Sequence, residues 1–123
     1  MKTQTFFADY ATALLTYSAE KIAAFYKVPL TVYSDDGILQ VTKSSEVEKF
    51  WEQGVKPYQA QGITKSIPEI LSEEQVSKTI TVCKVVWTNY DKADKQTSSE
   101  TNIYILSQAK DDLKISGLII MAK

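Results

Sequence analysis

The chain has 123 residues, of which 44% are hydrophobic and 24% are charged, and its formal net charge is −1 at pH 7. This is the composition of one globular domain, and it lacks the basic surplus that nucleic-acid-binding proteins carry. Histidine and arginine are absent, and the absence of histidine excludes nucleophilic catalysis through a Ser-His-Asp or Cys-His system.

We expect no signal for export or membrane insertion in this sequence. Cys83 is the only cysteine, so no intrachain disulfide can form, as expected in a reducing compartment. The apolar stretch at residues 6–15 is interrupted by Asp9 and is amphipathic, which is not typical of a signal peptide. No apolar run approaches the roughly 20 residues of a membrane span. We therefore expect a cytoplasmic protein without a membrane or nucleic-acid partner.

The N-terminal segment predicts two helices. The apolar face of the first repeats at helical spacing over about four turns and consists of Phe6, Tyr10, Ala13, Leu14 and Tyr17. Ser18 is suited to cap the N-terminus of the second helix. The apolar face of that helix consists of Ile22, Phe25 and Tyr26. Pro29 restricts the residue before it to extended backbone, so we expect the second helix to end near Lys27.

A hairpin and a third helix follow. Residues 34–37, Ser-Asp-Asp-Gly, predict a tight turn between two short strands, because Gly37 accepts the positive φ that such turns need. Ser45 and Glu48 have the spacing of a capping box at a helix start. Pro57 predicts a kink or an early end of that helix, and Gly62 closes the segment.

From Ile63 onward the pattern changes to the period of two that is typical of strands. Pro68 predicts an edge or bulged strand, because proline cannot donate to an interior ladder. We expect a turn at 72–75, a long strand at 76–90, a polar loop at 91–99 and a strand at 101–108. A turn at 109–112 and a last strand at 113–122 complete the chain.

This order of elements resembles the NTF2-like superfamily, which includes the SnoaL-like proteins and the ketosteroid isomerases. The residues that carry the resemblance are Tyr10, Leu14, Ile22-Ala23-Ala24-Phe25-Tyr26, Asp36-Gly37, Glu46-Val47 and Phe50-Trp51. The resemblance spans nearly the whole chain. It implies an α+β fold, a single NTF2-like domain over residues 1–123. In that fold N-terminal helices pack on a curved, mostly antiparallel β-sheet to form a cone with an internal pocket.

The resemblance also implies candidate catalytic residues. Tyr10 falls at the position of the oxyanion-binding tyrosine of the isomerases, and Ser34 or Asp35 falls where the carboxylate base would stand. The protonated acid of that site has no equivalent, since the corresponding strand reads Ile103-Tyr104-Ile105. An aspartate before a glycine is also an ordinary turn former, so Asp35 has a structural interpretation as well.

The sequence lacks the residues that other kinds of site would need. One cysteine without histidine cannot build a zinc site, and no acidic cluster has the loop spacing of a calcium site. No glycine-rich phosphate loop is present. We therefore predict no metal and no cofactor. Cys83, in the middle of an apolar strand, is expected to be a small buried hydrophobe.

The aromatic residues suggest a pocket. Those on elements that the resemblance brings together, with one leucine, are Tyr10, Leu14, Tyr26, Trp51, Tyr58, Trp87 and Tyr104. Such rings combine apolar area with a polar edge, as small-molecule pockets need, although they also fill cores. We expect binding of a small, largely apolar molecule such as a steroid or polyketide. The alternatives are a SnoaL-like isomerase, lyase or hydrolase that uses Tyr10 and Asp35, and an interaction module that works through its sheet.

The last strand is apolar on both faces. Leu118 and Ile120 alternate with Ile115, Ile119 and Met121, so neither face is suited to water. The strand before the polar loop shows two similar sets. They are Val82 with Val86, and Cys83 with Val85 and Trp87. Because helices cover one face of the sheet only, we expect the convex face to form a homodimer.

Overall fold

The computed structural model describes residues 2–121. The four helices are α1 (Lys2–Leu14), α2 (Ala19–Ala23), α3 (Ser44–Gly54) and α4 (Lys56–Ala60). The six strands are β1 (Tyr26–Ser34), β2 (Gly37–Val41), β3 (Ile63–Gln75), β4 (Ile80–Asp91), β5 (Gln96–Ala109) and β6 (Asp112–Ile120). Within this part of the chain, no helix has the length and apolar character needed to cross a membrane.

The strands form one curved sheet in the order β2-β1-β6-β5-β4-β3. All neighbouring pairs are antiparallel except β1 and β6, which run parallel. The helices pack on the concave face, where the core lies between α1 and the central strands. The predicted α+β class, with N-terminal helices on a mostly antiparallel sheet, is confirmed.

The predicted β1–β2 hairpin is also present. Ser34 pairs with Gly37 across the turn, and the Ser34 hydroxyl accepts a hydrogen bond from the Asp36 N–H at 3.2 Å. Gly37 has φ +137°, a backbone conformation that side-chain-bearing residues rarely adopt. Local turn chemistry is therefore sufficient to place this element.

The second helix is shorter than predicted. Ser18 caps it, with its side chain accepting from the Lys21 N–H at 3.3 Å, but α2 ends at Ala23 rather than near Lys27. Tyr26 already pairs with Ile115 of β6, and Pro29 lies inside β1. Pairing with a strand almost ninety residues away in sequence thus overrides the local helical pattern.

The third helix begins with a different cap from the one predicted. The Glu46 carboxylate accepts from the Lys43 N–H at 3.3 Å and from the Thr42 N–H at 3.4 Å, so the Ser45–Glu48 box is wrong by two residues. The predicted kink is present, because α3 ends at Gly54 and α4 begins at Lys56. Pro57 lies in the first turn of α4, where a backbone N–H would have no partner within the helix, so proline costs no helical hydrogen bond there.

Backbone pairing makes the strands β3 and β5 longer than their sequence indicates. Residues 72–75, expected as a turn, continue β3 to Gln75, and the polar segment expected as a loop at 91–99 belongs to β5 from Gln96 onward. Backbone pairing of β3 with β4 accounts for the longer β3, and pairing of β4 with β5 accounts for the shorter loop. β3 is an edge strand with register shifts, as Pro68 indicates.

The strand β6 contains a bulge that changes which side chains face the core. Ile105 pairs with Gly117 while Leu106 pairs with Ile115, so Ser116 is an extra residue. Ile115 and Leu118 are therefore both buried in the core, and the predicted grouping of Ile115 with Ile119 is wrong. β6 ends at Ile120, and Ala122, expected in this strand, lies outside the described residues.

We expect Gly117→Ala to destabilise the fold. A Cβ built at Gly117 would stand 2.8 Å from Ile105 Cδ1 and 3.0 Å from Ile105 Cβ, closer than packed atoms approach. Overpacking of this kind lowers the free energy of unfolding by about 1–3 kcal/mol, measured by urea denaturation. In an Ile105→Ala background the same change should cost less, and equal costs in both backgrounds would contradict this contact.

Candidate functional site

A cavity of about 160 Å³ lies between the helices and the concave face of the sheet. Its wall is largely aromatic, and we call it the aromatic cavity. The residues that line it are Tyr10, Leu14, Tyr26, Phe50, Trp51, Gly54, Tyr58, Trp87, Glu100, Asn102, Tyr104, Leu118 and Ile120. They come from α1, α3, α4 and four strands of the sheet, so the cavity exists only when the helices are seated on the sheet.

The structure brings the seven residues of the sequence-based pocket hypothesis together in this wall. They are Tyr10, Leu14, Tyr26, Trp51, Tyr58, Trp87 and Tyr104. Tyr26 lies on the strand β1 rather than on the expected helix, but its ring still packs against Tyr10 of the helix α1. Rings of neighbouring elements meet edge to face, for example Tyr10 with Trp87 at a centroid distance of 5.8 Å.

Two polar residues of the wall were missed by the sequence analysis. Glu100 and Asn102 lie on β5 with the spacing of two that places them on the same side as Tyr104. That alternation was visible in the sequence. It was not used for Glu100 because the strand was expected to begin at Thr101, one residue too late.

Hydrogen bonds tie the polar groups of the wall to one another. The Tyr10 and Tyr26 hydroxyls are 2.5 Å apart, which links α1 to β1. The Tyr58 hydroxyl donates to Glu100 Oε1 at 2.6 Å and links α4 to β5. These bonds join separate elements across the cavity and fix the positions of the rings.

A second link runs within the sheet, between β4 and β5, and two buried atoms of the cavity wall have no hydrogen-bond partner among the described residues. Trp87 Nε1 donates to the Tyr104 hydroxyl at 2.8 Å, and Asn102 Nδ2 donates to the same oxygen at 3.4 Å. Trp51 Nε1 and Asn102 Oδ1 are buried and have no hydrogen-bond partner among the described residues. Rotating the Asn102 amide by half a turn would pair its oxygen with the Tyr104 hydroxyl but leave its nitrogen unpaired. Unpaired buried groups are infrequent in folded proteins, and here both belong to the cavity wall.

Burial controls the protonation of the tyrosines. Loss of water raises the pKa of Tyr10, Tyr26, Tyr58 and Tyr104 well above the usual value of 10, and the Glu100 carboxylate raises the pKa of Tyr58 and Tyr104 further. These hydroxyls are therefore neutral at physiological pH. They can donate hydrogen bonds, but they cannot act as phenolate bases or nucleophiles there.

The two candidate catalytic residues lie in different environments. Tyr10 is 1% exposed in the core. Asp35 is exposed in the β1–β2 turn and is not part of the cavity wall. A general base must reach the proton that it removes, so the structure does not bring together the pair that isomerase chemistry would use. The carboxylate of the wall is instead Glu100.

Other candidate chemistry is limited. Cys83 is fully buried in β4, and burial raises the pKa of its thiol to about 11, so it is protonated and unreactive at neutral pH. The described residues contain no group of three His, Cys, Asp or Glu side chains that could hold a metal ion.

Two larger depressions lie beside α1 but have polar walls. One, of about 340 Å³, contains Glu69 and Glu73, and the other, of about 450 Å³, contains Lys2, Asp9 and two further aspartates. The Glu73 carboxylate already accepts from the Thr3 hydroxyl at 2.6 Å. The aromatic cavity is the smaller space, but it has the apolar wall with few polar groups that is typical of a ligand site.

Comparisons with known proteins agree with the fold. The model of a family described as NTF2-like protein (DUF6841) matches residues 1–122. No curated protein matches the chain.

Solved structures of the same fold are similar at low sequence identity. A domain of unknown function with a cystatin-like fold from Nostoc punctiforme is 18% identical, has a TM-score of 0.74, and the match covers 97% of this chain and 74% of that one. An NTF-2 like protein of unknown function from Shewanella oneidensis is 12% identical, with a TM-score of 0.74 and coverage of 98% and 97%. A ketosteroid isomerase-like protein from Erwinia carotovora atroseptica is 13% identical, with a TM-score of 0.66 and coverage of 96% and 91%. At these identities the similarity shows the fold alone.

We expect alkaline unfolding to be coupled to ionisation of the cavity tyrosines. Above about pH 10 the unfolded chain releases tyrosine protons that the native chain keeps, so stability falls as pH rises. The tyrosinate absorbance should therefore contain a cooperative step that coincides with loss of near-ultraviolet circular dichroism. Tyr26→Phe should reduce the amplitude of that step, and a gradual titration of all tyrosines before unfolding would contradict the assignment.

Proposed function

We propose that this chain, which belongs to the NTF2-like protein family DUF6841, binds a small, largely apolar molecule in the aromatic cavity. The observation that supports the proposal is the wall itself. Seven of its residues are aromatic, and they enclose a space that their own contacts leave unfilled. Aromatic rings with a few polar groups between them provide contact area and orientation for a small molecule.

The volume of the cavity restricts the size of the ligand. At about 160 Å³ it is close to the roughly 150 Å³ of an engineered apolar cavity that admits benzene. It is below the roughly 300 Å³ at which pockets for drug-sized ligands begin. A molecule with one ring fits this space, whereas the four fused rings of a steroid do not. The ligand that we propose is therefore smaller than the steroids and polyketides suggested by the sequence.

We place the entrance to the cavity beside the β1–β2 hairpin. Phe50 and Ile120 line both the aromatic cavity and a shallow groove beside Gly37 and Leu39. Ile120 is 40% exposed, so it stands at the boundary between the cavity and solvent. A ligand entering here would first meet apolar side chains and then the tyrosine hydroxyls.

An enzymatic function of the SnoaL-like type has less support. It would use Tyr10 with Asp35, and Asp35 is outside the cavity wall. The buried hydroxyls are held neutral, and Glu100 accepts a hydrogen bond from Tyr58. Binding requires only the apolar wall and the donors that are present, so it is the simpler function for this arrangement.

The convex face of the sheet supports a second proposal, association with another copy of the chain. The bulge in β6 and the register of the neighbouring strands place five aliphatic residues there. They are Val82, Val86, Ile103, Ile105 and Ile119, all only half-buried, and Lys84 lies among them opposite Ile103. In the described part of the chain no helix packs on this face. A twofold contact between two such faces would cover the patch with itself and leave no open end.

The binding proposal predicts that blocking the entrance abolishes binding. Ile120→Trp should fill the boundary between groove and cavity and weaken binding of benzyl alcohol by about tenfold or more, measured by isothermal titration calorimetry. Leu71→Trp is the matched control, because Leu71 is 51% exposed on β3 and is not part of the cavity wall. Equal weakening by both variants would contradict binding in the aromatic cavity.

The dimer proposal predicts a change of oligomeric state. Ile119→Lys should convert a dimer into a monomer or cause aggregation, since the interface would bury an unpaired charge. Val76→Lys, at a position 53% exposed in the β3–β4 connection, should leave the dimer intact. Size-exclusion chromatography with light scattering measures both variants. A monodisperse monomer of the unmodified chain at micromolar concentration would refute this proposal.

A further inference from the structure

We infer that the molecule bound in the aromatic cavity is a small organic cation, an ammonium group carried on an apolar body of about one ring. This inference rests on the proposed binding function and specifies its ligand. It follows from the distribution of charge around the cavity and from the nature of the wall, neither of which depends on the family to which the chain belongs.

Glu100 carries the only formal charge among the lining residues. Its Oε1 accepts from the neutral Tyr58 hydroxyl at 2.6 Å. Within residues 2–121 the only ion pair joins Lys65 to Asp94, so no lysine compensates Glu100. A partly buried carboxylate with one neutral donor lacks a counter-charge, and a cationic ligand would supply it.

The rest of the wall is suited to the same ligand. Aromatic faces carry partial negative charge and attract ammonium groups, and sets of such faces are the usual means by which proteins recognise alkylated ammonium ions. Tyr10, Tyr26, Trp51 and Trp87 surround the space, with Phe50, Tyr58 and Tyr104 completing the aromatic part of the wall. No lysine belongs to this wall, so it carries no formal positive charge that would repel a cation.

The same electrostatics excludes anions. The Glu100 carboxylate accepts from the Tyr58 hydroxyl, and after the effect of burial it contributes to the raised pKa of Tyr58 and of Tyr104. The buried hydroxyls are neutral donors without full positive charge. A carboxylate ligand would therefore enter a space with a fixed negative charge and no cation to pair with it.

An uncharged ligand is the alternative that needs to be separated from a cation. Trp51 Nε1 is an unpaired donor, and a neutral carbonyl compound could accept from it. Asn102 has one unpaired group, Oδ1 or, after rotation of its amide, Nδ2, so it can accept from an ammonium N–H or donate to a carbonyl and does not separate the two ligands. A hydrogen bond between a carboxylate and an ammonium group is stronger than one between a neutral donor and a carbonyl group. The charge on Glu100 therefore decides in favour of the cation.

Three molecules that share one ring and differ in charge test this inference. Benzylammonium, benzyl alcohol and benzoate are titrated into the unmodified chain at pH 7 and low ionic strength, with isothermal titration calorimetry as the measurement. Benzylammonium should bind about five- to thirtyfold more tightly than benzyl alcohol, as expected for a partly desolvated cation–π site beside a carboxylate. Benzoate should show no measurable binding.

Removal of the carboxylate should reduce the preference for charge. In Glu100→Gln the ratio of the affinity for benzylammonium to that for benzyl alcohol should fall, because only the aromatic faces then favour the cation. Glu52→Gln removes the same charge from an exposed position on α3 and should leave all three affinities as they are. If the Glu100 variant does not fold, as judged by circular dichroism, the charge series on the unmodified chain still decides.

The outcomes separate this inference from the proposed function. Equal affinities for benzylammonium and benzyl alcohol, or tighter binding of the alcohol, would overturn the cation while leaving binding of a small apolar molecule intact. A preference for benzylammonium that is undiminished in Glu100→Gln would overturn the role of Glu100. Absence of binding by all three compounds up to about 10 mM would overturn the proposed function itself, since even molecules of this size reach millimolar affinity in a fitting pocket.

Discussion

The structure depends on the requirement that buried hydroxyl groups find partners. Tyr10 and Tyr26 bring two hydroxyls into a region from which water is excluded, and each is the nearest partner of the other. Trp87 and Tyr104 meet the same requirement between two neighbouring strands. These bonds fix the polar ends of large rings to one another while the bodies of the rings pack on their neighbours. A purely aliphatic set of side chains at these positions could collapse into the space, whereas rings that are tethered at the hydroxyl cannot.

Binding and acid–base chemistry require different environments, and the binding proposal rests on the neutral, largely aromatic wall of this cavity. A general base has to be ionised at working pH and close to the reacting atom. The tyrosines here are kept neutral by burial, and Asp35 lies outside the wall in a solvent-exposed turn. The NTF2-like fold therefore determines where the cavity lies, while its chemistry is set by the side chains that line it in this chain. Glu100 is the charged residue among them.

The parts of the fold that depend on neighbouring residues were predictable from the sequence. Asp36-Gly37 specifies its turn, Ser18 caps its helix, and Pro57 divides α3 from α4, because each acts within a few residues. The errors occurred where distant strands decide. Pairing of Tyr26 with Ile115 ends α2 early, and one extra residue at Ser116 turns Ile115 inward, which no alternation rule can reveal. For the site, the aromatic residues could be identified, but the start of β5 had to be known before Glu100 could be placed on the same side as Tyr104.

The edges of the sheet determine how this protein can grow into larger assemblies. An exposed edge is a template on which another chain can add a strand, and repeated addition produces fibres. One edge here is β2, which is only five residues long. The other is β3, where Pro68 offers no N–H, the register shifts near Ile70, and Glu73 and Glu74 place negative charges near its end. A strand of another copy that paired along β3 would find no N–H donor at Pro68 and an irregular backbone near Ile70. Its glutamates would also add to the negative charge at the end of β3. Growth along the hydrogen-bonding direction is thereby disfavoured at both ends of the sheet.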